Sequence, residues 1–172
     1  MDVIKSIYED VREWLKFAET KNAALLTFNG VVVFGVLDKI IDKISEPVIK
    51  TALIIGCSII MISIVVNLIS FSPLLNRIRE AQSNVLNSSI GYHNLMFYGV
   101  IKDFSPQAYL DAINTKYDIP VDQKNLDFAI QVVTLSQITY SKLLFFNVGL
   151  CLTFIGFLIP LLACIIMFFV NI

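Results

Sequence analysis

The chain has 172 residues, of which 56% are hydrophobic and 16% charged, and its net charge is −1. A soluble globular domain carries about 25% charged residues, so this composition argues against one. The near-neutral charge gives no reason to expect nucleic acid as a partner. The composition therefore predicts a membrane protein.

Residues 1–22 predict an amphipathic cytosolic helix that continues into the first span. One face carries charged side chains, while apolar side chains recur on the other at helical spacing. Acidic and basic residues are balanced here, so packing against the cytosolic half of the last helix is favoured over binding to an anionic lipid surface. Such a charged, amphipathic start also argues against a cleavable signal peptide. The apolar positions are Ile4, Ile7, Tyr8, Val11, Trp14, Leu15 and Ala18.

Three apolar stretches predict transmembrane helices at residues 23–37, 51–72 and 143–170. A helix needs about 20 apolar residues to cross a bilayer. The first stretch is short, and Lys21 can extend it by reaching toward the lipid headgroups. The last runs for 28 residues without a charge. Its helical pattern begins near Asn125, which predicts one helix of about 70 Å whose first half stands in the cytosol.

Positive charge in the connecting segments predicts the orientation. Lysine and arginine number 4 in residues 1–22, 3 in the external loop 38–50, and 6 in residues 73–142. The positive-inside rule then places the amino terminus and residues 73–142 in the cytosol.

Residues 73–142 predict a small helical cytosolic domain that packs on the stems of the first and last helices. We expect helices near residues 74–86 and 92–102, separated by a polar break at 87–89. Ser105 and Pro106 predict the N-cap and first residue of a third helix that runs to about Thr115. The predicted fold class is an all-α membrane protein, with three transmembrane helices, long cytosolic helical stems and this domain.

Each span also carries small or polar residues at helical spacing, a pattern we call the polar seam. Helix packing is the favoured interpretation, because small residues let helices approach and buried amides bond across them. Lining of a pore by several copies is the alternative. The three spans contain no charged residue or histidine, which argues against an active transporter. The seam comprises Asn22, Asn29, Gly56, Ser63, Asn67, Ser70, Gly149, Thr153, Gly156, Pro160 and Cys164.

Motifs for catalysis are missing from the sequence. It has no glycine-rich phosphate loop, no nucleophile elbow and no histidine pair on a helix. His93 is the single histidine, and the three cysteines fall in apolar stretches without zinc or disulfide spacing. We therefore expect no enzyme activity, no metal and no cofactor.

Three motifs carry a family resemblance. They are FAETKNAALLTFNG at residues 17–30, NLMFYGVIKDFSPQAYLDAI at 94–113 and LSQITYSKLLFFNVGL at 135–150. In this order they resemble the Pycsar transmembrane effectors. The resemblance implies a bacterial antiphage effector in the inner membrane. In that family, a partner cyclase answers infection with a cyclic pyrimidine mononucleotide, and the effector then impairs the membrane.

On this hypothesis the chain is a ligand-gated effector that assembles as a homo-oligomer in the bilayer. We predict nucleotide contacts from Lys102, Tyr109, Lys124 and Lys142, because a cyclic nucleotide needs a cation and a stacking ring. The alternative for each is a solvated lysine or a core tyrosine. Glu19, Lys21 and Asn29 are predicted to couple ligand binding to the spans, so Lys21→Ala should abolish toxicity without loss from the membrane. The seam positions singled out are Ser63, Asn67, Gly149 and Gly156.

A second hypothesis is a membrane scaffold that forms no channel and binds a cytosolic partner through residues 73–142. It predicts an intact membrane potential on overproduction and a partner that copurifies.

Overall fold

The computed structural model describes residues 3–71 and 94–170, and these are predominantly helical. Helix α1 is Val3–Gly35, α2 is Pro47–Ser70, α3 is Tyr98–Ile101, α4 is Pro106–Tyr117 and α5 is Gln123–Val170. Three of them, α1 with its short helical extension to Lys43, α2 and α5, are long and apolar enough to cross a membrane. The predicted fold class is confirmed. The depth at which each helix enters the bilayer stays a prediction.

The chain between α1 and α2 turns through two short helical segments. A π-helical turn covers Val36–Ile40, and a 3₁₀ turn covers Ile41–Lys43. A single π turn inside a helix marks a local change of register. Pro47 then occupies the first turn of α2, where the missing N–H of proline costs no hydrogen bond.

The ends of α4 follow from local chemistry. The Ser105 hydroxyl accepts a hydrogen bond from the Ala108 backbone N–H at 3.3 Å, and Pro106 begins the helix. The predicted N-cap is thus confirmed. Asp118 ends the helix with a φ of 55°, a left-handed conformation that aspartate tolerates better than most residues.

The long last helix is confirmed in length. α5 contains 48 residues, about 72 Å at 1.5 Å per residue. The Asp122 carboxylate caps it by accepting from the Asn125 backbone N–H at 2.8 Å. The predicted helix over residues 92–102 is wrong in its described part: a turn covers Leu95 and Met96, and only Tyr98–Ile101 is helical. The predicted helix at 74–86, the break at 87–89 and His93 lie outside the described residues.

The chain divides into two compact units. The stem unit comprises residues 1–20 and 72–143, and the membrane unit comprises residues 21–71 and 144–172. The stem unit has an apolar core to which α1, α4 and α5 all contribute, with Ile7, Tyr109 and Val132 among its buried members. Tyr8 of α1 also meets Phe128 of α5 edge to face, with ring centroids 6.0 Å apart. The amphipathic start therefore packs on the first half of the last helix, as predicted.

Candidate functional site

Polar side chains meet inside the membrane unit. Asn29 of α1 donates its amide to Ser63 Oγ of α2 at 3.0 Å and to Thr153 Oγ1 of α5 at 2.9 Å. The Thr153 hydroxyl lies 3.1 Å from Asn29 Oδ1. Asn29 and Ser63 are fully buried, and Thr153 is 4% exposed. We call these three residues the first polar layer, because one side chain from each long helix contributes to it.

The first polar layer is completed by a backbone group. Ser63 Oγ donates to the Gly149 carbonyl at 2.7 Å, and this carbonyl also lies 2.9 Å from Thr153 Oγ1. In lipid, packing and hydrogen bonds rather than the hydrophobic effect hold helices together. A fully bonded layer of this kind therefore fixes the register of the three spans.

Glycines let the spans approach each other beside this layer. A Cβ at Gly149 would overlap the Asn67 side-chain nitrogen, and a Cβ at Gly56 would overlap the Gly156 carbonyl oxygen. A Cβ at Gly156 would lie 2.6 Å from Ile60 Cγ1. Each of these glycines is therefore required by close packing rather than by a special backbone angle.

The four predicted seam positions lie together. Ser63, Asn67, Gly149 and Gly156 are all buried between α2 and α5. In this arrangement they pack helices, which was the favoured interpretation from the sequence. Pore lining by several copies stays a prediction.

Two predicted functional residues of the stem unit contact each other directly. Lys142 Nζ lies 2.8 Å from Glu19 Oε1, and their side chains are 12% and 47% exposed. From the sequence, Glu19 is predicted to couple ligand binding to the spans and Lys142 to contact the nucleotide. The ion pair therefore connects a predicted coupling residue to a predicted ligand-binding residue. In the membrane unit, Lys21 Nζ lies 5.2 Å from the centre of the Phe146 ring, within cation–π range.

Lys102 lies beside an aromatic ring. Its ammonium is 4.3 Å from the centre of the Tyr140 ring and 2.6 Å from Asp103 Oδ1. The Gln137 amide donates to the Lys102 backbone carbonyl at 3.2 Å, which ties this residue to α5. The structure therefore places Lys102, one of the four predicted nucleotide contacts, next to the partly exposed Tyr140 ring, on which a base can stack.

The other predicted nucleotide contacts lie elsewhere. Tyr109 is fully buried in the stem core, and its hydroxyl donates to the Leu95 carbonyl at 2.9 Å. Burial, with a smaller effect of Tyr117, raises the pKa of the Tyr109 hydroxyl well above its usual range. Its position here is that of a core tyrosine. Lys124 is exposed in the first turn of α5, 18 residues or about 27 Å along the helix from Lys142.

Sequence reasoning missed an aromatic cluster on the stem unit. The Trp14 ring lies 5.4 Å from the Tyr98 ring and 5.7 Å from the Phe17 ring, and the Phe97 ring contacts Tyr98 in a tilted arrangement with centroids 4.6 Å apart. Trp14 and Phe17 remain 42% and 45% exposed. Burial, with a smaller effect of Tyr140, raises the pKa of Tyr98. The sequence signal for it was the group of aromatic residues at positions 97, 98 and 104, together with the single tryptophan at position 14.

An open groove of about 450 Å³ borders this cluster. It offers two carboxylates and an indole face to a ligand, and its lining residues are Asp10, Glu13, Trp14, Phe17 and Met96.

Among the described residues, no three His, Cys, Asp or Glu side chains group closely enough to hold a metal ion.

Comparison with known families gives a match over nearly the whole chain. The family described as the Pycsar effector protein domain matches residues 3–169. Comparisons with curated proteins and with solved structures gave no significant match. The match agrees with the three long apolar helices, which make this a multi-pass membrane protein. The chain belongs to the Pycsar effector family and is an antiphage defence effector.

Proposed function

We propose that this effector senses a cyclic nucleotide, with cyclic UMP and cyclic CMP the first candidates, and then impairs the bacterial inner membrane to abort infection. Its amino terminus and stem unit stand in the cytosol, several copies assemble in the membrane, and no catalysis is involved. The observation that carries this proposal is the polar core of the membrane unit. Asn29, Ser63 and Thr153 bring polar groups to the centre of three apolar helices.

A polar core gives the membrane unit a route to permeability. In the described arrangement the polar groups of this layer bond to one another between helices rather than to water. Rotation or separation of the helices within an oligomer turns the same amides and hydroxyls toward water, which replaces the lost partners. A core of leucine and valine has no amides or hydroxyls to which water could bind.

The stem unit supplies the sensor in this proposal. Trp14, Tyr98 and Tyr140 present rings for a pyrimidine base, and Lys102 supplies a cation for its phosphate. The phosphate would displace the Asp103 carboxylate that now lies 2.6 Å from the Lys102 ammonium. Asp10 and Glu13, on the groove wall, accept hydrogen bonds from base or ribose groups.

The signal reaches the spans through α1 and α5, each of which contributes residues to both units. The Glu19–Lys142 pair links these two helices at the end of the stem unit. A phosphate that draws Lys142 away from Glu19 frees the helices to shift against each other. Lys124, farther along α5, adds positive charge to the approach of an anionic ligand.

The test is release of dye and ions from liposomes that hold the purified protein. Cyclic UMP, cyclic CMP and a panel of cyclic dinucleotides are added in turn. Release with one nucleotide and none of the others supports the proposal and identifies the signal. Lys102→Ala should then raise the required nucleotide concentration at least about tenfold, the scale of one lost charge-assisted contact. Lys5→Ala, whose side chain is 61% exposed, should leave it unchanged.

A scaffold function without channel activity is the competing proposal. An exposed apolar cluster favours it, because such clusters on a protein surface commonly bind other proteins. The cluster consists of Trp14, Phe17, Met96 and Phe97. Liposomes that stay tight with every nucleotide, while holding correctly inserted protein, would favour this scaffold over the gated effector.

A further inference from the structure

A second set of polar residues lies two helical turns from the first polar layer. The Asn29–Ser63 bond sets the antiparallel register of α1 and α2. Seven residues back from Asn29 is Asn22, and seven residues on from Ser63 is Ser70, so this register brings them to the same depth, about 10 Å away. Both are buried, at 0% and 2% exposure. Asn67, fully buried one turn before Ser70, completes what we call the second polar layer.

Two oxygens of the second polar layer have unmet hydrogen-bonding capacity. Asn67 uses its nitrogen to donate to the Ser63 carbonyl at 2.8 Å, and Gly149 packs against that same nitrogen. Asn67 Oδ1 and Ser70 Oγ have no hydrogen-bond partner among the described residues. The first polar layer, in the same three-helix unit, has its polar side chains bonded, whereas the second leaves these two oxygens without a partner among the described residues.

A buried polar oxygen without a partner is costly, and more so where lipid excludes bulk water. Native proteins usually satisfy such atoms with a bound water. A carboxamide oxygen and a hydroxyl one turn apart on the same helix face are also ligand types that hard cations accept. The ligand this layer suits is therefore small, with a positive or partly positive end directed at two oxygens.

We propose that Asn67 and Ser70 form a binding site for a water molecule or a small monovalent cation inside the membrane unit. The site is occupied in the resting protein, before any nucleotide arrives. If the effector impairs the membrane as proposed above, this is the place where water and ions enter the unit when its helices shift. The occupancy itself is independent of that function.

The test uses silver ion, which is small, monovalent and reactive toward thiols. Cys57, Cys151 and Cys164 are first replaced by alanine, and Ser70→Cys is introduced in the full chain. The protein is placed in liposomes in nitrate buffer without nucleotide and exposed to silver for timed intervals. Thiols that remain are counted with a fluorescent maleimide after denaturation. Ile69→Cys, one residue away and 46% exposed on the outer face of the unit, is the matched control.

We expect silver to modify Ser70→Cys at least tenfold faster than Ile69→Cys. If sodium slows that reaction relative to the bulky N-methylglucamine ion, the resident ligand is a cation. If sodium has no effect on a fast reaction, the ligand is water. A reaction no faster than the control overturns the proposal. Asn67→Cys, compared with the outward Leu68→Cys, repeats the measurement should Ser70→Cys fail to insert. Since no nucleotide is present, a failed gating assay leaves this result unaffected.

Discussion

The two units of this protein differ in how much of their buried interior is polar. The stem unit closes over aliphatic and aromatic groups such as Ile7, Leu110 and Val132. The membrane unit buries amides, hydroxyls and glycines beside a few aliphatic groups such as Leu25 and Ile60, while its largest apolar side chains, such as Phe34, Phe154 and Phe169, are 62–76% exposed.

The difference agrees with the proposed placement of the stem unit in the cytosol and of the membrane unit in lipid. Water drives apolar groups together, so a unit in water needs an apolar core. Lipid chains are as apolar as leucine, so helices in a bilayer gain little by burying it. They gain from close backbone approach and from hydrogen bonds that lipid cannot offer. The polar core is thus the part of the membrane unit that holds its helices together.

The largest effect is expected from Gly56→Ala. The added methyl overlaps the Gly156 carbonyl oxygen, which is backbone and has little freedom to move. Forced separation of α2 and α5 should destabilise the membrane unit by about 1–3 kcal/mol, the usual cost of overpacking. Thermal unfolding in detergent measures it, followed by loss of helical circular dichroism.

Gly30→Ala is the matched control for Gly56→Ala. It places the same methyl on a span where nothing lies within 4 Å. Alanine favours the helix over glycine by about 1 kcal/mol, so this variant should be neutral or more stable. Equal destabilisation by both variants would show that α2 and α5 do not depend on close approach at Gly56.

Asn29→Ala should have the next largest effect. It removes the amide that donates to the Ser63 and Thr153 hydroxyls, so both hydroxyl oxygens lose a donor. Interhelical polar contacts in membranes contribute about 0.6–2 kcal/mol, so we expect a loss in that range. Thr27→Ala is the control, because its exposed hydroxyl bonds only within its own helix, to the Ala23 carbonyl. If Thr27→Ala costs as much, the first polar layer contributes no special stability.

The sequence predicted the helices well because length and apolar content decide whether a helix spans a membrane. It also predicted that Asn29, Ser63 and Gly149 lie at helix contacts, since buried polar side chains bond across helices and glycine lets helices approach. It did not predict which of them bond to each other, because the register of α1, α2 and α5 depends on three-dimensional packing. Tyr109 illustrates the same limit. The sequence allows both a ligand-binding ring and a core ring, with the core ring favoured, and the full burial of Tyr109 in the structure places it in the core.

Tyr109→Phe probes the apolar core of the stem unit. The variant keeps the ring but leaves the Leu95 carbonyl without its 2.9 Å donor, at a cost of about 1 kcal/mol near neutral pH. The pKa of Tyr109 is raised in the folded state by burial, so the folded protein keeps a proton that the unfolded chain loses above about pH 10. Stability is therefore fully present below pH 10 and falls as pH rises beyond it, by up to about 1.4 kcal/mol per pH unit.

The alkaline slope separates Tyr109 from the other tyrosines. Denaturant unfolding of the stem unit, followed by tyrosine absorbance between pH 8 and 11, should show a steeper loss in the native chain than in Tyr109→Phe. Tyr98→Phe should reduce the slope less, since burial raises the pKa of Tyr98 by a smaller amount. Identical slopes in all three proteins would contradict the role given to burial of Tyr109.

The smallest change in stability is expected from Glu19→Gln. The Glu19 side chain is 47% exposed, so solvent and salt screen its 2.8 Å pair with Lys142. We expect a coupling free energy below about 1 kcal/mol from a double-mutant cycle with Lys142→Gln. The exposed Lys5–Glu9 pair, at 4.0 Å, is the control and should give a smaller coupling free energy.

The weak Glu19–Lys142 pair can still control gating, because an incoming phosphate needs only to outcompete one screened carboxylate for Lys142. Glu19→Gln should then lower the nucleotide concentration that triggers leakage, while Glu9→Gln leaves it unchanged. A Glu19→Gln protein with an unaltered threshold would mean that the pair merely joins α1 to α5.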